Sequence, residues 1–382
     1  MEYRILGRTG LKVGAIALGC EGFTDKTAEE VRADFDFAIR NGINFLDLYA
    51  SNPTLRSNIG AALAGRREKF VIQGHLCSVW EEGQYLRTRD PEKSLAAFED
   101  MLARLGTDYV EIGMIHYVDA EADLREVLDG PIMRLAQRLR SEGRIRHIGL
   151  SSHNPVVAHM AARTGLIDVL MFSVNPCYDL LPPSDDVDTL WADESYAQEL
   201  HNIDPERQRL YEFCEREGVA IDVMKAYGGG DLLSGTNSPF GKPMTPVQCI
   251  EYALTRPGVA AVMAGCRSRT EIEAALAWCT ATAAQRDYTQ ALTGLGRFSW
   301  EGHCMYCGHC APCTAGIDIA SVNKYYNLTL AQDEVPETVR EHYNLLAHHA
   351  SECIACGRCQ SNCPFGVDIV GRMQLAAAKF GY

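Results

Sequence analysis

The sequence lacks any apolar run approaching the ~18 residues that a membrane-crossing helix needs. It also lacks an excess of positive charge: 36 Lys and Arg stand against 50 Asp and Glu, a formal net charge of −14. Nucleic acid and anionic membrane surfaces call for a basic patch, so neither is an expected partner. The opening MEYRILGRTG is charged from its second residue and has no apolar core. No secretion leader is expected, and the chain reads as soluble and cytoplasmic. Cysteine is not scarce, but the even scatter of a disulfide scaffold is missing. Of fifteen cysteines, eight lie in two tight runs near the C-terminus. The other seven, such as Cys20, Cys77 and Cys214, stand singly in apolar sequence, where they read as small buried hydrophobes.

What is present begins with an alternation. Strand-like apolar runs fall at Val13–Gly19, Phe45–Tyr49, Phe70–Gln73, Tyr109–Ile115, His147–Leu150, Val169–Val174, Val219–Met224 and Val259–Ala264. Helical periodicity falls between them, as at Val31–Ile39 (behind a Thr27–Glu30 capping box), Pro91–Leu105, Leu124–Glu142, Pro155–Thr164, Arg207–Glu217, Pro246–Thr255 and Thr270–Ala277. Continuous apolar strands suit a parallel sheet covered by helices, and eight of them imply an α/β barrel of the (β/α)8 TIM type. A hairpin around Arg8-Thr9-Gly10 is expected to plug its floor. The acidic loop Asp179–Asp204, with Trp191 and Tyr196, interrupts the spacing after the sixth strand and reads as a cover for the rim. The pattern stops near Leu295, giving expected units of 1–290 and 295–382.

The second cysteine run, Cys353, Cys356, Cys359 and Cys363 followed by proline, has the C-x2-C-x2-C-x3-C-P spacing of bacterial [4Fe–4S] ferredoxins. The first run, Cys304, Cys307, Cys310 and Cys313, has two residues in every gap. In such pairs the fourth cysteine reaches the neighbouring cluster. Cys304, Cys307, Cys310 and Cys363 are therefore expected to hold one cube, and Cys353, Cys356, Cys359 and Cys313 the other. Structural zinc is the alternative, but zinc sites typically separate their cysteine pairs by a dozen residues or more. Helix-compatible spacings of Tyr325, Tyr326, Leu328, Val339, Tyr343 and Leu346 make the tail resemble α-helical dicluster ferredoxins.

Active sites of these barrels form where strands run into loops at the C-terminal face. Those positions carry Asp47, His75, His116, Ser151, Ser152, His153, Asn175, Lys225 and Arg267. Any one of them reads equally as a satisfied buried group or a rim charge; the set does not. With YRILGRTGLKV, GINFLDLY, YVEIGMIH, GRIRHIGLSSHNP and GCRSRTEIEAAL, the chain resembles the aldo/keto reductase superfamily, in the branch with a C-terminal iron–sulfur domain.

That resemblance implies hydride transfer from NADPH to a carbonyl through a tetrad of Asp, Tyr, Lys and His. Asp47 and His116 match it. His75 stands where the lysine is expected, and Asn52 where the tyrosine is. Tyr49, two positions beyond Asp47, is a substitute proton donor, and so is His75, whose side-chain type titrates near ~6.5. Packing for Tyr49 and a hydrogen bond to Asp47 for His75 are the bland readings, of equal weight.

For the cofactor, the resemblance implies that Ser151, Ser152 and Asn175 hold the nicotinamide, with Lys225 beside them. Gly265, Arg267 and Ser268 suit a 2′-phosphate, whereas Glu271 places a negative charge against NADP(H). The stretch Gly74–Asp90, which carries Cys77, Trp80, Tyr85, Arg87 and Arg89, is expected to arch over the pocket after the third strand. Trp80 is a candidate pocket wall, and Arg87 and Arg89 are candidate anion holders, each weighed against a packed, solvated loop.

The favoured expectation is an oxidoreductase moving electrons between two [4Fe–4S] clusters and a small-molecule substrate or nicotinamide in the barrel pocket, with a redox partner protein implied. The alternative is a non-enzymatic electron carrier or redox-sensing scaffold on an inactive barrel. A third reading keeps a nicotinamide-dependent reductase and makes the clusters structural. Fold alone is weak evidence for chemistry.

Overall fold

The computed structural model describes residues 1–330 and 335–382. Eight parallel strands close into a barrel: β1 Ile16–Gly19, β2 Phe45–Leu48, β3 Val71–Leu76, β4 Val110–Ile115, β5 Ile145–Ser152, β6 Val169–Ser173, β7 Ala220–Met224 and β8 Val259–Gly265. Each pairs with the next and β8 returns to β1. Seven of the eight are buried over almost their whole length, because helices cover the outside and side chains fill the inside.

Local chemistry sets the helix ends. Helix α1 (Ala28–Arg40) begins with the expected capping box: the Thr27 hydroxyl accepts from Glu30 N–H at 3.3 Å, and the Glu30 carboxylate accepts from Thr27 N–H at 2.8 Å. Such a cap stabilises a helix by roughly 1 kcal/mol. Two expectations are corrected. A helix α2 (Pro53–Leu63), which periodicity did not suggest, follows β2. The stretch read as one helix over Leu124–Glu142 is two, Glu121–Asp129 and Pro131–Ser141, because extended Gly130 and the missing N–H of Pro131 break the ladder.

At the floor, Tyr3–Ile5 pairs antiparallel with Lys12–Gly14. Leu6 and Val13, fully buried, join Phe45, Ile112, Val169 and Ala261 in the cluster that fills the barrel's lower half. The hairpin is the expected plug.

Two loops cover the opposite rim. After β3 the chain folds into a hairpin of Ser78–Glu81 and Gln84–Arg87, turned by Glu82 and Gly83, both with positive φ. A two-residue turn of that kind matches the twist of its strands. After β6, the long loop is tied down by Leu200–His201, which pair with Phe298–Ser299 just ahead of the cysteines.

The tail repeats one design twice. Cys304-Met305-Tyr306-Cys307-Gly308 and Cys353-Ile354-Ala355-Cys356-Gly357 both turn through left-handed residues, Tyr306 and Gly308 in one, Ala355 and Gly357 in the other. Each half then reaches a Gly-Ile-Asp or Gly-Val-Asp step, where Asp318 or Asp368 caps a helix, Ile319–Thr329 or Ile369–Phe380. Glu337–Asn344 packs on these, with Tyr343 stacked on Phe380 at 3.8 Å.

Candidate functional site

The barrel frame delivers Asp47 from β2, Gln73 and His75 from β3, Asp222 from β7 and His116 from the end of β4. All but His116 are buried. Alternation on β3 turns Gln73 and His75 inward together. The Gln73 amide donates to Asp47 Oδ1 and to Asp222 Oδ2, both at 2.9 Å. His75 Nε2 meets Asp47 Oδ1 at 2.8 Å, and its Nδ1 meets His116 Nδ1 at 2.8 Å. His116 Nε2 meets the hydroxyl of Tyr85, from the rim hairpin, at 2.6 Å. One continuous chain of polar contacts thus runs from the barrel interior to a half-exposed tyrosine.

Burial and the neighbouring Asp47 push Asp222 well above the usual carboxylate range. Burial, then His75, holds His116 well below the usual histidine range. Tyr49 stacks on His116 at 5.5 Å. Burial and Glu21 raise its proton affinity far above the ordinary phenol. Asn52 serves as the cap of α2, accepting from Leu55 N–H at 3.1 Å.

The residues expected to hold a cofactor are largely engaged. The Ser151 hydroxyl accepts from Tyr117 N–H at 2.8 Å, and Ser152 donates to Asp119, which also binds His153 Nδ1 at 2.9 Å. Asn175 donates to Lys225 O and accepts from Cys177 and Tyr178 N–H, so every part of its amide is used. The Lys225 ammonium sits 4.3 Å over the Trp191 ring, which confirms the long loop as a cover at this point. Burial lowers its pKa. Gly265 and Arg267 are exposed; Ser268 caps the helix Arg269–Leu276, and Glu271 accepts from Arg267 N–H at 2.6 Å. That carboxylate occupies one of the donors a phosphate would use. The fit to NADP(H) is partial. In the hairpin, Arg89 is paired with Asp123 at 2.6 Å and Arg87 lies over Tyr117 at 4.9 Å, so Arg89 is no free anion holder.

The eight tail cysteines are unpaired and gather around two small cavities. Cys304, Cys307, Cys310 and Cys363 line one; Cys313, Cys353, Cys356 and Cys359 line the other. This is the crossed grouping the spacing implies. Burial pushes the Cys307 thiol up to about 11 and the Cys310 thiol up to about 12, and Cys304 adds to both. Cys363 contributes at Cys307, and Cys313 at Cys359. Four converging thiols in an apolar pocket are a donor set for a multiply charged cationic core, and the residues fit an iron–sulfur cube. Among the described residues, no three His, Cys, Asp or Glu side chains close on a single-ion site.

The first cavity abuts the barrel. Buried Arg256 donates to Met305 O, as does the Tyr288 hydroxyl at 2.8 Å. The Arg256 guanidinium lies over Tyr252 at 4.6 Å and over Tyr306 at 5.6 Å. Tyr252 in turn donates to Asp179, which with Asn175 follows the end of β6. Sequence reasoning placed Tyr85 in a stretch arching over the pocket without giving it a role, and missed Gln73 and Asp222, which only their polar types inside apolar strands signalled.

Comparison with known proteins agrees with this architecture. The family model "Aldo/keto reductase family" matches residues 11–249, and "4Fe-4S dicluster domain" matches residues 303–368. The oxidoreductase YqkF of Bacillus subtilis, uncharacterized, is 28% identical over 177 residues, 45% of this chain and 56% of that protein. L-galactose dehydrogenase of Arabidopsis thaliana is 28% identical over 202 residues, 48% of this chain and 61% of that one. The chain thus spans about half the length of the curated relatives it matches. An aldo-keto reductase from Bacillus halodurans in its holo form superposes with a TM-score of 0.58 at 22% identity, covering 77% of this chain and 96% of that structure, which shows the fold. Among the described residues, no helix is long and apolar enough to cross a membrane. With a barrel of this topology and a family model matched over most of its length, the chain belongs to the aldo/keto reductase family.

Proposed function

We propose that this protein is an iron–sulfur oxidoreductase of aldo/keto reductase type. Residues 1–290 would form the reaction unit and 295–382 the unit holding two [4Fe–4S] clusters. One observation carries the reading: a histidine pair anchored on a buried carboxylate lies at the mouth of a barrel whose tail gathers cysteines around two cavities, four to each. Cys304, Cys307, Cys310 and Cys363 would hold one cluster, and Cys313, Cys353, Cys356 and Cys359 the other. Such clusters, when bound, supply transfer of single electrons.

The chain's own residues do the rest. Asp47 orients His75 and stabilises a positive charge on it, as a carboxylate does for an imidazole in acid–base catalysis. Tyr49 and the rim hairpin wall the pair from bulk water. Ser151, Ser152, Asn175 and Lys225 frame the opposite side of the mouth, and Gly265, Arg267 and Ser268 are the residues placed to receive a nicotinamide's phosphate end. A small carbonyl compound is the substrate class that this family and the histidine pair support. A redox partner protein at the tail and a cytoplasmic location, supported by fifteen unpaired cysteines, complete the reading.

Anaerobic purification tests it. About eight iron atoms per chain are expected, together with oxidation of NADPH or of a one-electron donor when a probe aldehyde is added. Zinc in place of iron, or iron without any turnover of such probes, overturns it. A second reading, an electron carrier on an inactive barrel, is favoured by Asn52, whose side chain caps a helix where the family's proton-donating tyrosine is expected. Reversible cluster reduction with no carbonyl chemistry would establish that reading instead.

A further inference from the structure

The family's tyrosine is missing, yet a phenol does reach the histidine pair, from a different element. Among neutral groups, the contacts fix the hydrogens one way once Asp47 is a carboxylate. Asp47 Oδ1 only accepts, so His75 Nε2 carries its hydrogen and His75 Nδ1 is a lone pair. His116 Nδ1 must then donate to it, which leaves His116 Nε2 as acceptor of the Tyr85 O–H. Tyr49 meets His116 through its ring face, stacked at 5.5 Å, and the hydroxyl contact at His116 Nε2 belongs to Tyr85. Tyr85 is 37% exposed, so one side of it meets the solvent-facing rim while its hydroxyl joins the buried pair.

We propose that Tyr85 is a catalytic residue: its hydroxyl protonates the substrate oxygen, and the His116–His75 pair resupplies it. This rests on the reductase reading above. When the pair carries one extra proton, every hydrogen between His75 Nδ1 and the substrate points outward. His75 Nδ1–H then donates to His116 Nδ1, His116 Nε2–H donates to the Tyr85 oxygen, and Tyr85 O–H donates to a substrate carbonyl. A hydride donor transfers hydrogen with its electron pair to the carbonyl carbon, the carbonyl π bond breaks, and negative charge gathers on its oxygen. The Tyr85 O–H bond breaks as the product O–H forms. His116 Nε2 returns a proton to the phenolate, and His75 Nδ1 returns one to His116. One proton has entered the product, and the neutral resting arrangement is restored with His75 Nε2–H still on Asp47. Gln73, held between Asp47 and Asp222, is a positioning residue that fixes the accepting oxygen.

The charged and titratable groups facing the pair are Asp47 behind His75, Tyr49, Tyr85 and Tyr117 beside His116, and Arg87, Arg89 and His153 around it. The cationic form is required, so turnover should fall as pH rises through the pair's macroscopic pKa.

The experiment has two arms on the anaerobic holoprotein. In 15N-histidine NMR above that pKa, His75 should be the Nε2–H tautomer and His116 the Nδ1–H tautomer. Tyr85→Phe should shift His116 while leaving Asp119-bound His153 unmoved. The opposite tautomers, or a His116 signal blind to Tyr85→Phe, overturn the chain. With 4-nitrobenzaldehyde as probe, Tyr85→Phe should lower kcat by about 10²–10⁴-fold, with iron content unchanged and the pH dependence flattened. Wild-type kcat and pH profile in Tyr85→Phe overturn the proposal. A wild type that cannot reduce the probe strikes the reductase reading instead, and the NMR arm still decides the chain.

Discussion

The two cysteine loops are the same turn in two settings. Met305 and Ile354 occupy equivalent places, yet Met305 is 1% exposed and Ile354 is 64% exposed. Tyr306 is buried under Arg256, whereas its counterpart Ala355 faces solvent. Cys356 is the exposed cysteine of the eight, and none in the first run matches it. Backbone geometry is therefore set by the cysteine spacing and its left-handed residues, while the surroundings are set by the barrel. The first cavity is an inner site, walled by protein. The second is an outer site, open to whatever approaches the tail.

Three experiments break or sharpen that contrast. The largest effect should come from the ligands. Cys307→Ala and Cys356→Ala should each remove about half of the iron, since each empties one cavity of two. Cys313→Ser should give the optical spectrum of Cys356→Ala, not that of Cys307→Ala, despite its place in the first run. Iron unchanged in either alanine variant would dismiss the ligation, and a Cys313 variant matching Cys307 would dismiss the crossing.

A middle effect should come from the inner wall. Arg256→Met removes the buried donor to Met305 O and is expected to destabilise tail docking by about 2–3 kcal/mol, read by limited proteolysis or calorimetry. Arg358→Met, on the exposed outer loop, should change stability by no more than ~0.5 kcal/mol. Equal effects would erase the inner–outer distinction.

The smallest effect should be a pH slope. Burial pushes Glu212, on the helix Pro205–Glu217 that faces the tail, up to about 7, with Gln208 and nearby Arg216, Arg209 and Arg372 opposing. A folded pKa above the unfolded one means stability is fully present below the ordinary carboxylate pKa of about 4.3. It declines as pH rises through about 7. Glu212→Gln should remove that decline from melting curves, and an unchanged slope would assign it elsewhere.

Much of this fold was legible because parallel barrel strands are unbroken apolar runs. The cysteine groupings were legible because thiolate spacing is itself geometry. Helix α2 was not, since Pro53, Gly60 and a run of small residues give it no strong apolar stripe. The rim hairpin's four-residue strands are too short to show a period. Asn175, read as a cofactor holder, also caps its own loop, through partners Cys177, Tyr178 and Lys225 O that only the folded loop brings together. Tyr85 was legible as part of a stretch arching over the pocket, but not as a partner of His116. The 31-residue separation of the two is closed by a hairpin whose lean no pattern in either segment encodes.

The short ribbon of Leu200–His201 with Phe298–Ser299 has a mechanical consequence. It laces the flap over the mouth to the strap that enters the tail five residues before Cys304. A displacement of either segment has to carry that ribbon along or break it, so flap and strap are joined mechanically by four residues.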